Sequence, residues 1–151
     1  MRAALVATLL LLPHGAQAQA ACQLVGVWEL VSGRTDSTPY PATLHARKLI
    51  TKNHFVFISR DDGAIQEPRS TADTVAFLQS MAAGSGTYTV QGTTYTEKIE
   101  YFPDPAYIGR ALPFSCRTEG DRFYQTGTVP VLEHGIRVRD VTVDEVWRRI
   151  E

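Results

Sequence analysis

TYTVQGTTYTEKIEY, residues 87–101, alternates polar and apolar side chains on both sides of Gln91-Gly92. Period-two alternation marks a half-buried strand. The turn chemistry between the two runs predicts an antiparallel hairpin with strands at 86–91 and 94–101. On the second strand Tyr95, Glu97, Ile99 and Tyr101 share one face, and Thr94, Thr96, Lys98 and Glu100 share the other. The first is the apolar face, so it should look inward, carrying one carboxylate with it.

The same texture extends in both directions. Runs rich in Val, Ile, Thr, Tyr and Phe fall at 24–32, 44–51, 54–60, 111–118, 122–129 and 141–150. Lys52-Asn53 and Glu119-Gly120-Asp121 are further short connections of hairpin type. Eight strands joined by tight turns form a meander, and closing it into a barrel removes its two exposed edges. The expected fold class is therefore all-β, an eight-stranded antiparallel up-and-down barrel.

One segment interrupts the alternation. STADTVAFLQSMAAG, residues 70–84, places Val75, Leu78, Met81 and Ala82 at helical spacing. Ser70 and Asp73 resemble a capping box, and Gly84 suits the position just past a helix end. The expectation is one helix inserted between strands 3 and 4, either covering the barrel mouth or bracing the outside. FPDPAYIGRALP, residues 102–113, is a long connection in which Asp104 can cap a single turn opened by Pro105.

The first residues read as a leader. Arg2 precedes the apolar run AALVATLLLL, and Ala-Gln-Ala repeats at 16–20 offer cleavage sites. A bilayer span needs about 20 apolar residues, roughly twice this run. Residues 1–20 are therefore expected to be a signal peptide, and 21–151 one exported barrel domain, periplasmic or secreted. No later stretch is apolar enough for a membrane-spanning helix.

The formal charge of the 151-residue chain is −1. No basic stripe appears, which argues against nucleic acid as a partner. An oxidising compartment turns the two cysteines, Cys22 and Cys116, into a candidate disulfide. Two free thiols, or lipidation at Cys22, are the other readings. Against lipidation, Gln19 stands where bacterial lipoprotein signals usually carry Leu.

Gly26-Val27-Trp28 opens the first strand, and Asp144-Glu145-Val146-Trp147-Arg148-Arg149 closes the last. The glycine-x-tryptophan pattern resembles the signature of lipocalins and their calycin relatives. With KLITKNHFVFI, GDRFYQTG and DEVWRRIE it resembles the bacterial lipocalin-like domains of exported proteins over the whole mature chain. The resemblance implies a small antiparallel barrel whose narrow end is closed by Trp28, with Gly26 allowing close backbone passage and Arg148 or Arg149 stacking on the indole. Classical lipocalins have no helix where residues 70–84 fall. The resemblance implies no particular ligand.

A barrel of this kind suggests a small apolar or amphiphilic ligand. Tyr88, Tyr95, Glu97, Tyr101 and Phe114 are the expected wall residues, the tyrosines supplying hydroxyls. A carboxylate among aromatics needs a partner or a raised pKa, and Arg117 is the candidate partner for Glu97. Binding without catalysis is the first reading. A barrel enzyme of isomerase or cyclase type, with Glu97 as acid or base, is an alternative. Another is a filled barrel that docks a protein partner through the helix or through the loop at 102–113, with exposed Tyr107 and Ile108. His45, His54 and His134 lack ligand spacing. No nucleophile motif or phosphate loop is present, so no metal or cofactor is expected.

Overall fold

The structure is a computed structural model that describes residues 22–64 and 67–151. The expected leader at 1–20 lies outside the described residues. Nine strands run in chain order: β1 (Gly26–Thr35), β2 (Thr38–Pro39), β3 (Leu44–Ile50), β4 (His54–Asp61), β5 (Met81–Gln91), β6 (Thr94–Tyr101), β7 (Ala111–Glu119), β8 (Arg122–Glu133) and β9 (Ile136–Arg149). Each long strand pairs antiparallel with the next, and β1 pairs with both β3 and β9. Eight strands thus close on themselves, and the two-residue β2 is a short flap hydrogen-bonded to the end of β1.

Among the described residues one α-helix, α1 (Thr71–Gln79), lies between β4 and β5. It follows the fourth strand, not the third, because β2 adds a strand that two residues of sequence do not announce. The Ser70 hydroxyl accepts the Asp73 amide proton at 3.1 Å. Asp73 in turn accepts from the Arg69 amide at 3.0 Å, one residue before the position of a standard capping box. The helix stops at Ser80 and not near Gly84. Residues 81–84 pair with Arg60 through Phe57 instead, so the ladder captures what local periodicity assigns to the helix. No residue of α1 is buried. Val56 and Ile58 on the outer face of β4 remain 46 % and 47 % exposed, so the helix leaves that face largely uncovered.

Two further departures have local causes. β8 and β9 continue past 129 and back before 141, meeting at a tight turn in which His134 and Gly135 both take positive φ. The charged Arg137, Arg139 and Asp140 mask the β9 part of this extension, where Ile136 and Val138 alternate with them but stay exposed. On β6 the register slips: Ser85 faces Tyr101, while Gly86 faces Ile99. One extra residue reverses the inside-outside parity.

The two ends of the barrel are filled differently. Trp28, Phe55, Tyr95 and Phe123 are wholly buried in one half. The rings of Trp28 and Phe123 meet edge-on at 5.5 Å, and those of Tyr95 and Phe123 at 6.1 Å, the geometry aromatic quadrupoles favour. The Trp28 indole N–H donates to the Leu24 carbonyl at 2.7 Å. The Arg149 guanidinium lies 4.2 Å from the Trp28 ring centroid and donates to the carbonyls of Val25 and Gln23. Of the two candidate arginines it is therefore Arg149 that seals this end. Arg148 points outward to pair with Glu29. Gly26 has φ +147, and a Cβ there would sit 2.2 Å from the Arg149 guanidinium. Glycine is needed for this seal. Cys22 and Cys116 form a disulfide across 94 residues, tying the segment before β1 to β7.

Candidate functional site

The other half of the barrel is hollow. A cavity of about 270 Å³ opens at the end opposite Trp28, near the lower bound of roughly 300–1,000 Å³ for small-molecule pockets. Side-chain size explains why it exists. Ala46, Ser59, Val129 and Val143 occupy inward positions at this end, where the closed half carries tryptophan, tyrosine and phenylalanine. Leu30, Phe57, Ile99, Phe102 and Leu112 complete an apolar wall.

A polar layer forms the floor between cavity and plug. Lys48 on β3 and Glu97 on β6 are 3 % and 4 % exposed. The Lys48 ammonium donates to Glu97 Oε1 at 2.9 Å and to Gln125 Oε1 at 2.8 Å. It also sits 5.1 Å from the Trp147 ring centroid. Two acceptors and an aromatic face thus satisfy a charge that would be costly alone. Glu145 on β9 completes the layer. The Tyr40 hydroxyl donates to its Oε1 and the Trp147 indole N–H to its Oε2, both at 3.1 Å.

Glu145 keeps some exposure toward the cavity but is otherwise enclosed by protein. Desolvation therefore dominates and raises its pKa above the ordinary 4.5, with Glu97 adding repulsion. Lys48 and the two hydrogen bonds pull the other way without cancelling this. The Tyr40 hydroxyl is pushed up as well, first by burial and then by the Glu145 charge. Tyr40 reaches this position because its ring passes closely over Gly33, where a Cβ would come within 2.3 Å of it.

The five expected wall residues separate. Glu97 and Phe114 line the cavity. Tyr95 packs beneath the floor, and its hydroxyl has no hydrogen-bond partner among the described residues; burial and the nearby Glu97 raise its pKa. Tyr88 stacks edge-on against Tyr95 at 5.4 Å and donates to the Thr51 carbonyl at 2.8 Å. It belongs to the plug. Tyr101 is 71 % exposed. The β6 register slip turns it outward, and Phe102 takes the inward place. Tyr107, expected as an exposed contact residue, lines the cavity and donates to the Pro130 carbonyl. Ile108 beside it is exposed.

Glu97 finds Lys48 and not Arg117. Arg117 follows Phe114 and Cys116 with the opposite parity, so it points out, stacking on Tyr124 at 3.8 Å and pairing with Glu119. Parity also carried the signal for the residues that the sequence reading missed. Lys48 shares a face with Ala46 and Ile50, Gln125 with Phe123, and Glu145 with Trp147.

No residue of α1 lines the cavity, so the helix is not a lid over it. Among the described residues there is no cluster of His, Cys, Asp and Glu able to hold a metal ion, and no helix is long and apolar enough to cross a membrane. Fold and site together define a closed eight-stranded antiparallel barrel, plugged at one end and hollow at the other. No protein-family model matches the chain, and no curated protein sequence matches it.

Proposed function

We propose that the chain is an exported, lipocalin-like protein that binds one small apolar or amphiphilic molecule inside its barrel. The observation that carries this reading is the cavity itself. It is apolar over most of its wall and has a few convergent polar groups at one end, the usual composition of a small-molecule site. The Gly26-Trp28-Arg149 seal supports the lipocalin-like assignment. The Cys22–Cys116 disulfide supports export, since such bonds persist in oxidising compartments. An enzymatic role for Glu97 has less support, because this carboxylate is already committed to Lys48.

Native mass spectrometry of the exported protein, followed by denaturation and extraction, tests the reading. Excess mass that disappears on unfolding, with a small molecule in the extract, is the expected result. A bare mass combined with no uptake of neutral apolar probes would refute it.

A further inference from the structure

The charges around the cavity do not balance. Three charged side chains line it, Lys48, Glu97 and Glu145. Lys48 is engaged by Glu97 at 2.9 Å and Gln125 at 2.8 Å. Glu145 has only neutral donors, the Tyr40 hydroxyl and the Trp147 indole N–H. No cation lies in ion-pair range of it among the described residues. Both of its oxygens face donors, an arrangement suited to the ionised form. Enclosure by protein opposes that form, since a buried charge needs a compensating partner.

We propose that the cavity selects compact amphiphiles carrying an amine, whose ammonium pairs with Glu145 while the apolar body fills the space between Phe57, Ile99, Phe102 and Leu112. This rests on the pocket reading above and specifies its ligand class. An anionic ligand would meet two carboxylates. To serve it, Lys48 would have to leave Glu97, and a second carboxylate would then be buried without a partner. A neutral alcohol gains the apolar contacts but leaves Glu145 uncompensated. Burial raises the Glu145 pKa, so at pH values where the empty site holds the proton, taking up an ammonium should release it.

The test is displacement of bound N-phenylnaphthylamine, a neutral fluorophore, by octylamine, octanol and octanoate. These share one apolar body and differ in head group. Octylamine should bind at least about tenfold more tightly than octanol, a difference of roughly 1.4 kcal/mol, with octanoate the weakest. Glu145→Gln should erase the difference between amine and alcohol while octanol binding persists. The wild-type protein gives an independent reading through pH. The amine-to-alcohol affinity ratio should grow as pH rises above the ordinary 4.5 of a glutamate and Glu145 ionises beside Lys48, Glu97 and Tyr40. Equal affinities for amine and alcohol, a preference for octanoate, or a ratio flat with pH would overturn the proposal and leave the pocket standing. Failure of all three compounds and of the fluorophore to bind would remove the pocket reading itself, and the proposal with it.

Discussion

The closed and hollow halves of this barrel use the same backbone to opposite ends. In the closed half large inward rings dominate: Trp28, Phe55, Tyr95 and Phe123 pack to zero exposure, and a disulfide and an arginine seal the outside. In the hollow half Ala46, Ser59, Val129 and Val143 leave space, and charged groups line its floor. Stability should therefore be concentrated in one half and recognition in the other. Substitutions in the two halves should separate these properties.

The largest effect belongs to the plug. Trp28→Ala should cost about 3–5 kcal/mol, the usual range for deleting a buried aromatic, as read by chemical denaturation. Removing the disulfide with Cys22→Ser and Cys116→Ser should cost about 2–5 kcal/mol, because it frees a 94-residue loop in the unfolded chain. Both variants, when folded, should retain a cavity of unchanged shape. A large stability loss from cavity-lining Val143→Ala, with little from Trp28→Ala, would break the division.

The floor should matter comparably, through charge instead of bulk. Lys48→Met leaves Glu97 buried without its cation and should cost about 3–5 kcal/mol. Adding Glu97→Leu to the same protein should recover much of that loss, because no charge is then stranded. A double variant as unstable as the single one would mean that Lys48 acts through packing and not through its charge.

Much of this division can be read in the sequence. Period-two alternation finds all eight barrel strands, five of them with both ends within three residues, and Gly26-Val27-Trp28 with the terminal arginines locates the sealed end. The interior of the hollow half is less legible, for a physical reason. Inward polar residues such as Lys48, Gln125 and Glu145 look like outward ones unless parity is carried along the strand from a neighbouring aromatic. Parity itself fails at a bulge, and this is why Tyr101 lies outside and Phe102 inside. The first part of β5 was hidden because Met81–Gly84 satisfies helical spacing as well as a strand ladder. In this case cross-strand pairing, which depends on distant residues, decides the outcome.

The smallest effect is a change in pH dependence. Glu145 is an acid whose folded pKa is raised, so its contribution to stability is full below its ordinary 4.5 and is lost as pH rises through the folded value. Glu29 and Asp61 have lowered pKa values, from hydrogen bonds to Arg148 and Thr43 respectively. Their contributions run the other way, present above their ordinary values and lost as pH falls. Glu145→Gln should therefore flatten the decline on the alkaline side of 4.5 and leave the acid limb unchanged. Denaturation curves of both proteins across that range measure the difference. An altered acid limb with an unaltered alkaline side would assign the shifted proton to another group.

The central claim is that the hollow half takes up a molecule, and filling it tests this most directly. Ala46 lines the cavity and is itself well covered, so Ala46→Phe adds bulk where space exists. Titration of the wild-type and Ala46→Phe proteins with N-phenylnaphthylamine, alongside their unfolding curves, is the decisive measurement. One saturable site in the wild type, lost in a variant of similar stability, is the predicted result. No saturable uptake by the wild type, or equal uptake by both folded proteins, would contradict the account.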